Sequence, residues 1–297
     1  MVLLGVFFSV IVSVLFAVYA VPRKFSQQNP LLYTMWTGVA YLLGSVAVCS
    51  VVWGFGIQKQ ENLLSPWHLL TALRGLIWVC GIAAFNIAID KIGLARFNQW
   101  KNFQGPIGTL FMLAFLDEVT GAKAFWLLLG MTAMFISAVL FTIPSGDGNK
   151  QSNVSGILYA LFAAACFGLT AFINKIVTNQ GFIYSQLLYH SLSVVVAAAI
   201  LFAIQTRRPK EIFHLSRENW LPAISGAMFL VATLLSIFSY TMIAGGVAWS
   251  ITQLNAVWTI LIGIFVFKEV GFKEHWRRIV AGFVFAMIAI VFLLFAL

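Results

Sequence analysis

Acidic side chains are scarce here: nine Asp and Glu stand among 297 residues, against eighteen Lys and Arg. None of the nine falls in the middle of an apolar run, so no carboxylate is placed to bind a cation inside a membrane, which argues against a broad amine or drug exporter. Cysteine is rarer still. Cys49, Cys80 and Cys166 each lie within an apolar run, and an odd, scattered set supports neither a disulfide framework nor a zinc site. The sequence also lacks a Gly-rich phosphate loop, a Ser-His-Asp set, a metal-spaced His/Cys cluster and paired carboxylates in one run, so neither enzyme chemistry nor a bound cofactor is expected. An ATP-driven pump would need its motor on a separate subunit.

What the chain has is apolar length. Hydrophobic residues make up 61%, aromatics 15% and charged residues only 9%, with a mean hydropathy of +0.96, far above the needs of one soluble core. Ten apolar runs approach the length of about twenty residues that a bilayer-crossing helix requires. They lie near 2–20, 30–55, 67–89, 92–116, 125–143, 154–176, 182–204, 220–241, 246–267 and 277–296. The runs are too long for barrel strands and lack alternation of period two, so an all-α membrane protein with ten transmembrane helices is expected. The chain opens directly into an apolar segment without a basic n-region, so Met1 to Ala20 reads as the first span rather than a signal peptide.

The stretch from Gly93 to Glu118 organises the rest. Its first half carries Arg96, Asn98, Gln99, Lys101, Asn102 and Gln104, its second half is apolar, and it stops at Asp117-Glu118. A similar layout returns at Ser250, Thr252, Gln253 and Asn255, followed by an apolar run to Phe267 and then Lys268-Glu269. Glu118 and Glu269 are 151 residues apart, and the same offset pairs Gly5 with Gly156, Phe16 with Phe167, Lys24 with Lys175, Tyr33 with Tyr184 and Gly75 with Gly226. The chain thus divides into 1–150 and 151–297, each with five spans. An odd number of spans per half makes the second half enter the membrane inverted relative to the first, the arrangement secondary transporters use for alternating access.

Thirteen of the eighteen basic residues fall on the face of the loops after spans 1, 3, 5, 7 and 9, and three on the other. By the positive-inside rule the first face is cytoplasmic, which puts both termini on the non-cytoplasmic face of the cell membrane. The net charge of +9 is spread over short loops and forms no basic face, so nucleic acid is not an expected partner. The expected partners are a small-molecule solute and the lipid bilayer, with a second copy of the chain as a candidate homodimer.

The two remaining cations, Arg74 and Lys101, lie inside spans, roughly 10–14 Å deep at 1.5 Å per residue. A charge at that depth costs about 2.5–3.5 kcal/mol even on a lenient scale, so each either faces a watery cavity or snorkels to an interface. Asn98, Asn102 and Gly105 share one helical face beside Lys101, and Ser250 shares a face with Gln253, next to one carrying Thr252, Asn255 and Thr259. Amides of this kind read the hydroxyls of a polyol or bond helix to helix. Trp78 and Trp100 could stack on a sugar ring or simply fill a packed bundle. His190, mid-span, is a candidate proton relay and otherwise a hydrogen-bonded structural residue. Pro106 is expected to kink the fourth span.

Several short motifs carry a family resemblance across nearly the whole chain. They are Tyr19-Ala20-Val21-Pro22-Arg23-Lys24 with Trp36, Gly75-Leu76-Ile77-Trp78 with Gly81, Ile89-Asp90-Lys91-Ile92-Gly93 with Arg96, and Ser250-Ile251-Thr252-Gln253-Leu254 leading to Gly263-Ile264 and Lys268-Glu269. With these the chain resembles the drug/metabolite transporter superfamily, and within it the glucose/ribose porter and rhamnose transporter group. The resemblance implies a carrier for a sugar or related polyol, with a central cavity lined by spans 3, 4, 8 and 9 and termini that suit uptake. The alternative is an anionic metabolite, such as a sugar acid, sugar phosphate or organic acid, held by Lys101 and Arg74. A non-transporting receptor or scaffold ranks below both.

Overall fold

The computed structural model describes residues 1–92, 100–142, 154–207, 219–268 and 272–297. Every regular element among them is helical: α1 (Val2–Val18), a 3₁₀ turn (Pro22–Phe25), α2 (Pro30–Gly54), α3 (Trp67–Ile92), α4 (Gln104–Phe115), α5 (Gly121–Leu140), α6 (Val154–Asn179), α7 (Ser185–Thr206), α8 (Trp220–Met242), α9 (Gly245–Thr252), α10 (Asn255–Phe265) and α11 (Phe272–Phe295). Taken with α9 and α10 as one span, nine are long and apolar enough to cross a membrane, and the shorter α4 is apolar too. Helix is dictated by the solvent, since hydrocarbon offers backbone N–H and C=O groups no partner outside their own segment.

Small residues decide which helices touch. Ala160, Ala163 and Ala164 on α6 have no exposed surface, and a Cβ on Gly81 of α3 would come within 2.9 Å of Cys166 and Phe167. That contact makes α3–α6 one of the broad interfaces, of the small-residue kind that lets backbones approach in lipid. The other principal partners are α2 with α7 and α8, α3 with α7, α1 with α8, α9 and α10, α4 with α6 and α9, and α5 with α11. Hydroxyls fasten several of these seams: Ser9 with Ser239 at 2.7 Å, Tyr33 with Ser225 at 2.6 Å, and Ser137 donating to the Gly282 carbonyl at 2.7 Å. Two apolar cores result. One surrounds Met112, Leu127, Ile260 and Leu293, and the other surrounds Val79, Val194 and Ile237.

Loop contacts sort the two ends of the bundle. At one end Gly5 packs on Met242 and Ile243, and the Lys123 ammonium donates to the carbonyl of Leu297 at 2.8 Å, so both termini lie together. Glu61 is at this end as well, accepting from the amides of Ile183, Tyr184 and Ser185 and from the Ser185 hydroxyl, and so serving the orphan donors at the start of α7. At the opposite, basic end Gln28 donates to Asn219 at 2.7 Å, and Lys24 Nζ sits 3.8 Å from the centroid of Phe267.

A polar clamp closes the termini end. Lys175, expected from the sequence as a loop cation, is inside α6 and 4% exposed, with its ammonium 2.8 Å from Glu118 Oε1. The same ammonium donates to the Tyr240 carbonyl at 2.5 Å. Glu118 accepts in addition from Asn179 Nδ2 at 3.0 Å and from the amide of Gly245, the first residue of α9, at 2.7 Å. One carboxylate therefore joins the end of α4, the end of α6 and the start of α9, where the helix N-terminus favours negative charge. Gly245 is required there because a Cβ would come within 2.7 Å of the Lys175 stem.

Two outcomes follow. Glu118→Gln leaves a buried ammonium without its counter-charge and should lower unfolding stability in detergent by about 3 kcal/mol, while Glu118→Gln with Lys175→Met should recover a large part of that loss. Gly226→Ala would drive a Cβ to 2.7 Å from Ala40 Cβ and 3.1 Å from the Tyr41 amide, whereas Gly54 has nothing within 4 Å. Thermal unfolding should show Gly226→Ala about 1–3 kcal/mol less stable and Gly54→Ala close to wild type.

Candidate functional site

A cavity of about 110 Å³ lies at the centre of the bundle. At about 30 Å³ per water in the liquid, this is room for about four waters, the scale of a small polar solute. Seven aromatic residues form its walls: Phe16, Tyr19, Trp78, Phe167, Phe229, Tyr240 and Trp249. Phe229 is their hub, with ring centroids 5.1 Å from Trp78, 5.6 Å from Tyr19 and 5.3 Å from Tyr41. Set among these rings are Lys101, Gln104, Thr170, Asn174, Thr233, Ser236 and Asn255.

The two ends of the cavity differ. Towards the termini end Arg74, Asn174, His190 and Tyr240 are all buried, and the clamp on Glu118 lies beyond them. Towards the basic end Tyr19 and Lys101 are half-buried. Arg74 Nη1 donates to Asn174 Oδ1 at 2.9 Å and to Gln186 Oε1 at 3.3 Å, so neutral amides hold the guanidinium. The His190 ring meets the Tyr41 hydroxyl through Nδ1 at 3.2 Å, and its Nε2 has no hydrogen-bond partner. Lys101 makes no hydrogen bond or ion pair with a described residue.

Both polar stretches singled out in the sequence are breaks in a helix. Trp100 and Lys101 are helical, Asn102 and Phe103 form a turn, and α4 restarts at Gln104. Pro106 supplies the cause: it has no N–H for the Asn102 carbonyl, which accepts instead from Gly105 at 3.3 Å in a tighter turn. The second break falls at Gln253 and Leu254, between α9 and α10, where Ala256 donates back to Gln253 at 3.1 Å. The breaks lean on each other. Gln104 Nε2 donates to Gln253 Oε1 at 3.2 Å, Trp249 Nε1 donates to the Gln104 carbonyl at 3.2 Å, and Thr109 meets Ser250 at 3.0 Å.

The residues expected from the sequence thus separate into groups. Arg74, Trp78, Lys101, Asn255 and His190 line the central cavity. Asn102, Ser250 and Gln253 instead surround a second void of about 10 Å³ between α4, α5 and α9, no larger than one water needs, and Asn102 leans to Thr142 at 3.5 Å. Trp100 stacks on Phe103 with centroids 6.0 Å apart, beside the core around Val79, while Asn98 lies outside the described residues. Gln104, Asn174, Thr233, Ser236 and Tyr240 line the cavity without having been singled out. For Gln104 a signal existed, because the 151-residue offset places it on Asn255. For the others, helical spacing inside long apolar runs does not say which face meets the cavity.

Known proteins resemble this chain along much of its length. A Listeria monocytogenes protein named "Putative sugar uptake protein lmo0169" is 22% identical over 221 residues, spanning 73% of this chain and 75% of its own. The glucose uptake protein GlcU of Bacillus subtilis is 23% identical over 260 residues, 84% of this chain and 85% of its own. A crystal structure of a protein only 14% identical superposes with a TM-score of 0.71, covering 98% of this chain and 96% of its own, a likeness of fold. The profile of the family described as sugar transport protein matches residues 37–296, which takes in all but the first helix and the start of the second, and the chain therefore belongs to the sugar transport protein family.

Proposed function

We propose that this chain is a secondary transporter that carries a sugar or related polyol across the cell membrane by alternating access through the central cavity. One observation carries the reading: the cavity is walled by matched residues of the two halves and lies beside two helix breaks separated by the same interval. Phe16 and Phe167, Trp78 and Phe229, and Gln104 and Asn255 are each 151 residues apart, and all six line it. Asn102-Phe103 and Gln253-Leu254 keep that spacing too. Discontinuous helices at corresponding points of two halves are the usual sign of a transporter's solute site.

Packing supports the inverted repeat. Several principal helix pairs persist when each element of 1–150 is exchanged for its equivalent in 151–297: α3–α6 becomes α8–α1, α2–α8 becomes α7–α3, α4–α6 becomes α10–α1, and α2–α7 and α5–α11 map onto themselves. The offset glycines behave alike, Gly75 pressing on α7 at His190 and Ser193, and Gly226 on α2 at Thr37 and Tyr41. The basic end faces the cytoplasm by the positive-inside rule, which leaves the termini outside and opens this conformation inward. Aromatic faces take the apolar side of a sugar ring while Gln104, Asn255, Thr170, Thr233 and Ser236 address its hydroxyls, which accords with the sugar and glucose uptake named for the relatives.

Uptake of labelled monosaccharides into proteoliposomes of the purified chain tests this. Flux should saturate, and Trp78→Ala and Phe229→Ala should each raise the half-saturating concentration about tenfold, consistent with losing roughly 1.4 kcal/mol of stacking. Proteoliposomes no more permeable than empty liposomes to every neutral and acidic sugar would refute transport.

A further inference from the structure

We propose, on the basis of the transport reading above, that the preferred solute is a monosaccharide bearing a carboxylate, a sugar acid, whose acid group docks on Arg74 and His190 at the buried end of the cavity. The guanidinium is built to receive it. Arg74 is 5% exposed, and the two oxygens it touches belong to Asn174 and Gln186, neither of which carries charge. Gln186 is itself fixed, its amide nitrogen donating to Thr178 Oγ1 at 3.0 Å and to the Phe182 carbonyl at 2.5 Å, so its oxygen is aimed at the arginine. Both amides engage Nη1, while Nε and Nη2 make no hydrogen bond to a described residue. Those two nitrogens form one edge of the guanidinium fork, the geometry that matches two carboxylate oxygens in parallel.

A second, independent feature points to the same ligand. His190 is 1% exposed and lines the cavity, yet its Nε2 is without a partner. When the Tyr41 hydroxyl donates to Nδ1, the ring proton sits on Nε2, which becomes a donor seeking an acceptor oxygen. Thus a buried cation and a buried lone donor share one end of the cavity. A buried polar group with no partner is costly, and a buried cation with no counter-charge more so.

Among the described residues no counter-ion stands there. No carboxylate is among the described residues lining the cavity. The half-buried acids at this end are committed elsewhere, Glu118 to Lys175 and Gly245, and Glu61 to the amides opening α7, while Asp117 is exposed. Lys101, which has no ion-pair partner among the described residues, stands towards the half-buried end, where its field draws anions inward. A neutral polyol would cross leaving Arg74 uncompensated. A carboxylate brings the missing charge with it, and its ring remains for the Trp78 and Phe229 walls. A single guanidinium edge suits a monoanion better than the dianion of a phosphate ester.

The test is competition against labelled glucose in proteoliposomes of the full chain, using glucuronate, its neutral isostere glucuronamide, unlabelled glucose and a hexose phosphate. Glucuronate should inhibit at a concentration about ten- to hundredfold below glucose and glucuronamide, the span expected for hydrogen bonds to a charged group, and labelled glucuronate should itself enter. In Arg74→Gln, which keeps hydrogen-bonding capacity towards Asn174 and Gln186, the ratio of glucuronate to glucose uptake should fall by a similar factor. Should that variant fail to fold, the wild-type series and the rise in thermal midpoint with each ligand decide alone. Glucose uptake that glucuronate neither shares nor inhibits would overturn the inference and leave the transport reading standing. Equal inhibition by glucuronamide, or tighter inhibition by the hexose phosphate, would also overturn it. Flux of none of the probes would sink the transport reading itself.

Discussion

The hydrogen bonds where α4 crosses α9 are the interaction on which the rest of the structure depends. Inside hydrocarbon a helix break exposes carbonyls and amides that lipid cannot satisfy, so breaks are tolerated only where protein or a watery cavity surrounds them. Here two breaks satisfy each other: the Gln104 carbonyl takes the Trp249 indole proton, and Gln104 and Gln253 join through their amides. Once those segments are fixed, Lys101 and Asn255 fall on the cavity side and Asn102 and Ser250 on the side of α5. The close approach is made by Gly105 and Gly108, since a Cβ on Gly105 would reach 3.0 Å from Gln253. Side chains there would part the helices and leave both breaks unserved.

Much of this was legible in the amino-acid order. Hydropathy alone placed the helices, and Pro106 announced the break in α4 because its missing N–H is a local property. The second break was not read in advance, because no proline marks it, although Gln253 lies 151 residues after Asn102. What resisted reading was which neighbour a polar face would meet. Asn102 and Lys101 are adjacent, yet one turns to Thr142 and the other to the cavity, a difference of about 100° around the helix that only the packed partner resolves. Lys175 resisted for a related reason. A lysine near the end of an apolar run resembles a loop cation until Glu118, distant in the chain, is brought beside it.

The cavity joins two chemistries that seldom mix in lipid. Its walls are aromatic, but its buried end holds a cation whose partners are amides. Such a charge is expensive where it stands, and expense at a fixed position in a membrane protein is a reason to look for the process that uses it. Family membership and the names of relatives speak of sugar; they say nothing of what else the sugar carries. At identities of 22% and 23% the helices can be shared while individual lining residues are free to specify a different member of the class.

The clamp at the termini end has a kinetic meaning. Glu118 accepts from Lys175, Asn179 and Gly245, while Lys175 also holds the Tyr240 carbonyl, so four contacts share two side chains. Releasing the ion pair among them leaves the buried ammonium of Lys175 without its counter-charge. Parting these helices therefore means breaking an ion pair in a place with little water, and under the alternating access proposed above the frequency of that rupture, more than the grip on cargo, would set how fast the empty protein resets.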